Sequence, residues 1–268
     1  MRSTKEIITD SLAGLFHNLK YILLLVLLIS LPVAIIQACV VDTRIDLAAV
    51  TKVVDDAQAK LEVGETIGSE AALMDATTKM LTYYGISMLL SSFSMIVQIG
   101  VMLIIRNRSK GIVTGFGDVF ETSMRLFPKV WLTQLLGSIL MAIGLMFCVL
   151  PGLFMYFVFY MVPYGVVYTE LWGRKGLLVS SLYSRKYGRK VIAMIFAGLL
   201  YSFAVSWMVE VIMGFVPASQ TAIMISGTVS YCLQDLLACL PIACFSGMAL
   251  SMDLGVDFSQ LGKKQVVN

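Results

Sequence analysis

The stretch "LPGLFMYFVFYMVPYGVVYTELWGRKG", residues 150–176, joins a long apolar run to a charged end. Its first twenty residues contain no charged side chain. An apolar helix of this length is enough to cross the hydrocarbon core of a bilayer. Pro151–Gly152 predicts a tight turn before this helix. Pro163 predicts a kink within it, and neighbouring Ser, Tyr or Gln side chains can bind the carbonyl groups that the kink frees. Glu170 is predicted at the inner membrane boundary, where the basic end of the stretch compensates its charge.

The whole chain shares this apolar character. Of its 268 residues 58% are hydrophobic and only 14% are charged, whereas about 25% are charged in a typical soluble domain. Six runs are long enough to span a bilayer; they cover residues 20–41, 82–105, 130–150, 152–172, 191–216 and 223–251. We therefore predict an all-α fold, a polytopic transmembrane helical bundle of about six spans that forms a single integral membrane domain over residues 1–268.

Basic residues are concentrated on one side of the predicted spans. Sixteen of the 20 Lys and Arg residues lie in every second connection and in the two terminal segments, at residues 1–20, 106–129, 173–190 and 252–268. The other four lie in the connection 42–81. Because short cytoplasmic loops carry the excess of Lys and Arg, this pattern predicts that both the N- and C-termini are cytoplasmic.

Three of the predicted connections carry structure of their own. Segment 42–81 holds eight acidic residues, and its apolar residues recur at helical spacing, so we predict an external acidic helical hairpin. Segments 106–129 and 173–190 are predicted as basic cytoplasmic amphipathic segments, and Ser3 and Glu6 predict a capping box in the N-terminal tail. Such helices either lie on an anionic inner leaflet or pack against the bundle.

Two carboxylates fall within the predicted spans. Glu210 in the fifth span and Asp235 in the sixth are predicted near the same outer level, where they can face each other. An ionisable group at membrane depth is a candidate functional residue, although residues near the outer interface can also be wetted and structural. Gly198, Ser202 and Ser206 precede Glu210 at intervals of four, which favours close helix packing.

The second span carries a stripe of polar side chains. Their spacing of three and four residues places them on one helical face. Such a stripe either packs against a neighbouring helix through small hydroxyl residues or lines a polar passage. Its members are Tyr84, Ser87, Ser91, Ser94 and Gln98.

Several short motifs follow one another around the opening stretch. The order is "GDVFE", an apolar run, "LPG", "MVPYGVV" and a basic segment with serines. This order resembles an uncharacterised family of multi-pass bacterial membrane proteins, related to the membrane domain of some glycerophosphodiester phosphodiesterases. The resemblance implies a multi-helix membrane fold but no reaction, because catalysis in those phosphodiesterases belongs to a separate soluble domain. The residues that carry it are Asp118, Phe120, Pro151, Gly152, Pro163 and Tyr164.

The inventory of chemical motifs is poor. The chain has no G-x-S-x-G, HExxH or P-loop sequence, which argues against an enzyme. Its single histidine and the lack of a CxxC pair argue against a zinc site, and we predict no cofactor. It has no block of basic and aromatic residues of the kind that binds nucleic acid.

We therefore predict a non-enzymatic integral protein of a bacterial cytoplasmic membrane. It would bind anionic lipid headgroups at its inner face and act as an accessory component of a membrane process, with a protein partner at residues 42–81 or at the cytoplasmic loops. The alternative is a small transporter or permease component that uses Glu210, Asp235 and the polar stripe of the second span.

Overall fold

The computed structural model describes residues 3–38, 52–56, 59, 70–213, 215 and 220–252. The described part folds as helices joined by short connections. The helices are α1 (Thr4–His17), α2 (Leu19–Leu25), a π-helical turn (Val26–Ser30), α3 (Leu31–Ile36), α4 (Glu70–Ser91), α5 (Ser94–Ser109), α6 (Phe116–Phe147), α7 (Val149–Phe159), α8 (Val162–Thr169), α9 (Arg174–Met213) and α10 (Gln220–Leu250).

Within the described residues, six helical stretches are long and apolar enough to cross a membrane, which confirms the predicted all-α fold and number of spans. Large apolar side chains cover their outer surface; Leu200 is 71% exposed and Phe203 is 75% exposed. Exposed apolar area of this extent is unfavourable in water and is typical of helices that face lipid. The stretches are Leu19–Ile36, Leu73–Ser109, Phe116–Phe147, Val149–Thr169, Arg174–Met213 and Met224–Leu250.

Helix α5 lies at the centre of the bundle. Its residues Ile99 and Met102 belong to one buried apolar cluster, which includes side chains of α6, α8, α9 and α10. Val101 and Ile104 belong to a second cluster, formed with α1, α2 and α10. Helix α5 is therefore buried on both sides and is held in position by most of the other spans. Its side chains have fixed positions relative to those spans.

Helices α6 and α7 form a hairpin that turns at Cys148, the one residue between them. Cys148 has extended backbone angles, φ −173° and ψ 155°. The prediction that Pro151–Gly152 makes this turn is wrong, because both residues already lie in the first part of α7. A proline is tolerated in a first helical turn, where its missing N–H has no intrahelical partner to lose. Gly152 instead lets α7 approach α6 closely at Gly144.

The predicted kink at Pro163 is confirmed as a break in the fourth span. Helix α7 ends at Phe159, a turn follows at Tyr160 and Met161, and α8 begins at Val162 with Pro163 in its first turn. The chain therefore restarts its helix at the proline, which cannot donate to a carbonyl of the preceding turn.

Serine side chains from α9 bind carbonyl groups at this break. The Ser180 hydroxyl donates to the Val158 carbonyl oxygen at 2.7 Å, and Ser184 donates to the carbonyl oxygens of Phe157 and Val158 at 3.1 and 3.2 Å. Both serines are buried. The expectation that neighbouring polar side chains satisfy freed carbonyls is confirmed, and the same bonds fix α9 against α7.

The amphipathic segments pack their apolar faces against the bundle. The predicted capping box is present: the Glu6 N–H donates to Ser3 Oγ at 3.2 Å, and the Ser3 N–H donates to Glu6 Oε2 at 2.9 Å. Leu15 of α1 is 3% exposed and belongs to the core. The first part of α9 also buries one face before a non-helical kink at Tyr187. Glu170 ends α8 in a left-handed conformation, with φ 58°.

The predicted external hairpin over residues 42–81 lies largely outside the described residues. Residues 52–56 and residue 59 are helical, and α4 runs from Glu70 directly into the second span. Helix α4, Glu70–Ser91, therefore joins the end of the predicted external segment to the second span without a break.

Candidate intramembrane binding site

A cavity of about 590 Å³ lies between helices α5 to α10. Exposed polar side chains, including Gln134, Ser202 and Gln234, form part of its wall, so the cavity opens to the outside of the bundle. Its polar lining consists of Gln98, Gln134, Ser138, Tyr156, Tyr160, Tyr164, Tyr201, Ser202, Ser206, Gln234 and Asp235. Its apolar lining is rich in methionine and phenylalanine, including Met102, Met141, Met155, Phe159 and Phe245.

Asp235 is held in the wall of the cavity by a chain of hydroxyl groups. The Ser94 hydroxyl donates to Asp235 Oδ2 at 2.8 Å. The same hydroxyl lies 2.8 Å from the Tyr231 hydroxyl, and since Ser94 has one hydrogen, Tyr231 is the donor in that second bond. The buried hydroxyl of Ser30 lies next to the carboxyl group but outside hydrogen-bonding geometry. The carboxyl group is therefore oriented by a neutral donor, the Ser94 hydroxyl.

Local structure explains this arrangement. Tyr231 and Asp235 are four residues apart on α10 and so share one helical face. Ser94 is the first residue of α5, directly after the break that separates α4 from α5 at Ser92 and Phe93. The break exposes the end of α5 to α10, which brings the Ser94 hydroxyl to the carboxyl group of Asp235.

The described lining of the cavity contains an acidic side chain but no basic one. Among the described residues that line it, Asp235 is the only acidic one, and none is Lys, Arg or His. A carboxylate at membrane depth is costly unless it is neutralised by a proton or a cation, because hydroxyl donors replace only part of its hydration. A proton or a bound cation would therefore neutralise Asp235 in this cavity.

Proline residues stand on two walls of the cavity. Pro163 lies at the break between α7 and α8, and Pro241 lies within α10. Pro241 cannot donate to the carbonyl group of Leu237, four residues earlier. The Tyr201 hydroxyl donates to that carbonyl oxygen at 2.9 Å. The span that carries Pro163 is thus broken at the cavity, whereas α10 continues as a helix through Pro241; side chains from α9 bind carbonyl groups of both spans.

The predicted polar stripe divides between packing and the cavity. Gln98 lines the cavity, and Ser94, which is outside the described lining, donates to the lining residue Asp235. Ser87 instead accepts a hydrogen bond of 2.9 Å from the Gln37 side chain, and the Ser91 hydroxyl donates to a carbonyl within its own helix. Ser87 and Ser91 thus make helix contacts, whereas Gln98 lines the cavity; Tyr84, the first member along the chain, is 52% exposed.

Glu210 does not belong to the cavity. Its side chain is exposed on α9, and the described cavity lining contains Ser202 and Ser206 but not Glu210. No hydrogen bond joins Glu210 to Asp235 in the part of the chain that the structure describes. Gly198, Ser202 and Ser206 of the small-residue series on α9 therefore line the cavity, whereas Glu210 faces away from it.

The residues of the family-like motif occupy three places. Asp118 lies in the first turn of α6, where Phe120 stacks on Phe116 with ring centroids 6.1 Å apart. Pro151 and Gly152 lie at the α6–α7 hairpin. Pro163 and Tyr164 line the cavity. Only the last pair is thus placed to affect a ligand.

Several lining residues were missed at the sequence level. Gln134, Gln234, Tyr160 and Tyr201 each interrupt an apolar run, and Pro241 interrupts the last one. Each such interruption is visible in the sequence and could have marked its residue as a candidate. Because these residues belong to four different spans, their convergence depends on how the helices pack.

Comparison of the chain with known protein families, with curated proteins and with solved structures finds no match. The family resemblance of the motif therefore stays a prediction. Within the described residues, no group of three or more His, Cys, Asp or Glu side chains is placed to hold a metal ion.

Proposed function

We propose that this chain is a small transporter or permease component that binds a small cationic solute at Asp235. The observation that supports this most directly is a cavity within the spans whose described lining includes one carboxyl group and no basic side chain. The proposal keeps the predicted role of Asp235, Ser94 and Gln98 in a polar pathway and leaves Glu210 outside it.

The size and chemistry of the cavity suit a small organic cation. Its volume of about 590 Å³ falls within the usual range of small-molecule sites, roughly 300–1,000 Å³. Carboxylate oxygens, amide oxygens of Gln98 and Gln234, and tyrosine rings such as Tyr160 can all stabilise a positive charge. The methionine and phenylalanine side chains of the lining would contact the apolar part of such a molecule.

The break in the fourth span supports a transport role beyond simple binding. Discontinuous spans that meet at a binding site are a recurring feature of transporters. Here the break at Tyr160–Met161 and the proline of α10 both face the cavity. Opening of the cavity first to one side of the membrane and then to the other would then require bending at this break and at Pro241, and no span would have to unfold.

Equilibrium dialysis of the purified chain in detergent tests this function. The probes are tetramethylammonium and tetraphenylphosphonium, and the variants are Asp235→Asn and Glu210→Gln. We expect saturable binding of at least one cation to the wild type, a loss of affinity of about tenfold or more in Asp235→Asn, and unchanged affinity in Glu210→Gln. Equal losses in the two variants, or no saturable binding of either cation, would refute the proposal.

We also propose a second role, as a non-enzymatic lipid-interacting or accessory component of a bacterial cytoplasmic membrane. The observation that favours it is the concentration of 16 basic residues in the segments predicted to be cytoplasmic. Several of them, including Arg174, Arg185 and Arg189, are exposed on α9. Each basic residue near an anionic leaflet contributes about 1 kcal/mol of attraction. This role and the cation site use different residues and can coexist.

A further inference from the structure

A second cavity is an apolar groove with a basic rim, formed by α6, α7 and the first part of α9. Its volume is about 980 Å³. The floor and walls are almost entirely apolar, with Leu136, Leu140, Phe154, Met155, Phe157, Val158, Phe159, Leu177 and Leu178. The polar lining consists of Arg174, Lys175, Ser181, Ser184 and Arg185. We call this feature the basic-rimmed groove.

The rim is a single stripe on α9. Arg174, Leu178, Ser181 and Arg185 are spaced by four, three and four residues, so they project from one face of the helix. The two arginines are eleven residues apart, about 16 Å along the helix axis at 1.5 Å per residue. Both are exposed, and both border the groove.

The buried side of the same helix segment is anchored to α6 and α7. Val179 and Ser180 are fully buried, and Ser180 and Ser184 donate to carbonyl groups of α7. Gly176 approaches α6 so closely that an added Cβ would lie 2.9 Å from the Thr133 side chain. The stripe therefore stands on a rigid support, and the groove is held open between packed helices.

We propose that the basic-rimmed groove binds an anionic phospholipid, with the phosphate between Arg174 and Arg185 and an acyl chain against Leu136, Leu140 and Phe157. Charge complementarity argues for this occupant, because three basic side chains adjoin an apolar surface that suits a hydrocarbon chain. The predicted position of segment 173–190 at the inner face places the rim at headgroup level.

This inference rests on the lipid-interacting role and not on the cation site. The two cavities share only Met155 and Phe159 among their described lining residues. Variants of the arginine rim therefore leave Asp235 and its hydroxyl partners in place. A failure of lipid binding and a failure of cation binding are separately observable in the same protein preparation.

Native mass spectrometry from nanodiscs tests the groove. The nanodiscs contain equal amounts of phosphatidylglycerol and phosphatidylcholine, and the measured quantity is the ratio of the two lipids retained after collisional release. The test variant is Arg174→Gln/Arg185→Gln. The control is Arg125→Gln/Arg189→Gln, which removes the same charge from two exposed arginines outside the groove. A third variant, Leu140→Trp, fills the groove without changing its charge.

We expect the wild type to retain phosphatidylglycerol preferentially and the rim variant to lose this preference by about fivefold per arginine. The control should keep the preference, Leu140→Trp should lower the total lipid retained, and excess inorganic phosphate should not displace the lipid. No preference in the wild type, equal losses in the two arginine pairs, unchanged retention in Leu140→Trp, or displacement by inorganic phosphate would each overturn the proposal.

Discussion

Tyr201 on α9 donates its hydroxyl hydrogen to the carbonyl oxygen of Leu237 on α10, at 2.9 Å, four residues before Pro241. The bond replaces the one that Pro241 cannot form. It connects two walls of the 590 Å³ cavity, since Tyr201 and Pro241 both line it. A side chain thus satisfies a carbonyl group inside α10 at the proposed binding site.

The first prediction concerns this pair. Tyr201→Phe should lower the free energy of unfolding by about 1 kcal/mol, because it leaves the part-buried carbonyl oxygen of Leu237 without this donor. In the background Pro241→Ala, residue 241 regains an N–H, so the same change should cost less. Unfolding of the four proteins by sodium dodecyl sulfate gives the double-mutant cycle. Additive effects would show that the Tyr201 hydroxyl does not serve the carbonyl group freed by Pro241.

The second prediction concerns the break between α7 and α8. Ser180→Ala removes the 2.7 Å bond to the Val158 carbonyl oxygen and should cost about 1 kcal/mol of stability. Ser181→Ala is the matched control, because its hydroxyl donates only to the Leu178 carbonyl of its own helix. Thermal unfolding in detergent should separate the two variants. If both unfold at the same temperature, Ser180 does not stabilise the break.

The third prediction concerns the α6–α7 hairpin. A Cβ at Gly152 would lie 3.0 Å from Cα of Leu145, whereas a Cβ at Gly85 of α4 meets no atom within 4 Å. Gly152→Ala should therefore destabilise the protein by about 1–3 kcal/mol through overpacking. Gly85→Ala should be neutral or stabilising by up to about 1 kcal/mol, since alanine favours a helix. The same thermal unfolding assay compares them; a tolerated Gly152→Ala would contradict the close approach of the helices.

The fourth prediction concerns orientation. Single cysteines replace Lys52, Lys110 or Arg189 in a variant from which the five native cysteines have been removed. In right-side-out vesicles, a membrane-impermeant maleimide should label residue 52 directly and residues 110 and 189 only after permeabilisation, as the positive-inside pattern requires. The reverse labelling would place the basic segments outside and would remove the basis for a headgroup site at the inner leaflet.

Much of the fold was predictable because hydropathy and charge act locally. The six spans, the break at Pro163 and the capping box at Ser3 follow from the length of apolar runs, the missing proline N–H and a four-residue motif. The α6–α7 turn was misplaced because proline marks both turns and first helical turns. The structure puts Pro151 in the latter and turns the chain at Cys148.

The candidate site was predictable only in part. Asp235, Ser94 and Gln98 stood out as polar groups in apolar runs; the structure places Asp235 and Gln98 in the cavity lining, and Ser94 donates to Asp235. Glu210 stood out equally but faces outward. The side on which each residue lies depends on the rotation of its helix against its neighbours, which a single sequence does not specify.

The accessibility of Ser202 tests the central claim, a cavity beside Asp235 that a small cation can enter, most directly. In the cysteine-free background, Ser202→Cys lies in the cavity wall, whereas its neighbour Phe203→Cys lies on the outer surface, where the native side chain is 75% exposed. The rate of modification by a small cationic methanethiosulfonate is measured for both. We predict rapid modification at residue 202 and little at residue 203, because thiolates react in water and not in hydrocarbon. Equal rates at both positions, or no modification at residue 202, would contradict the account.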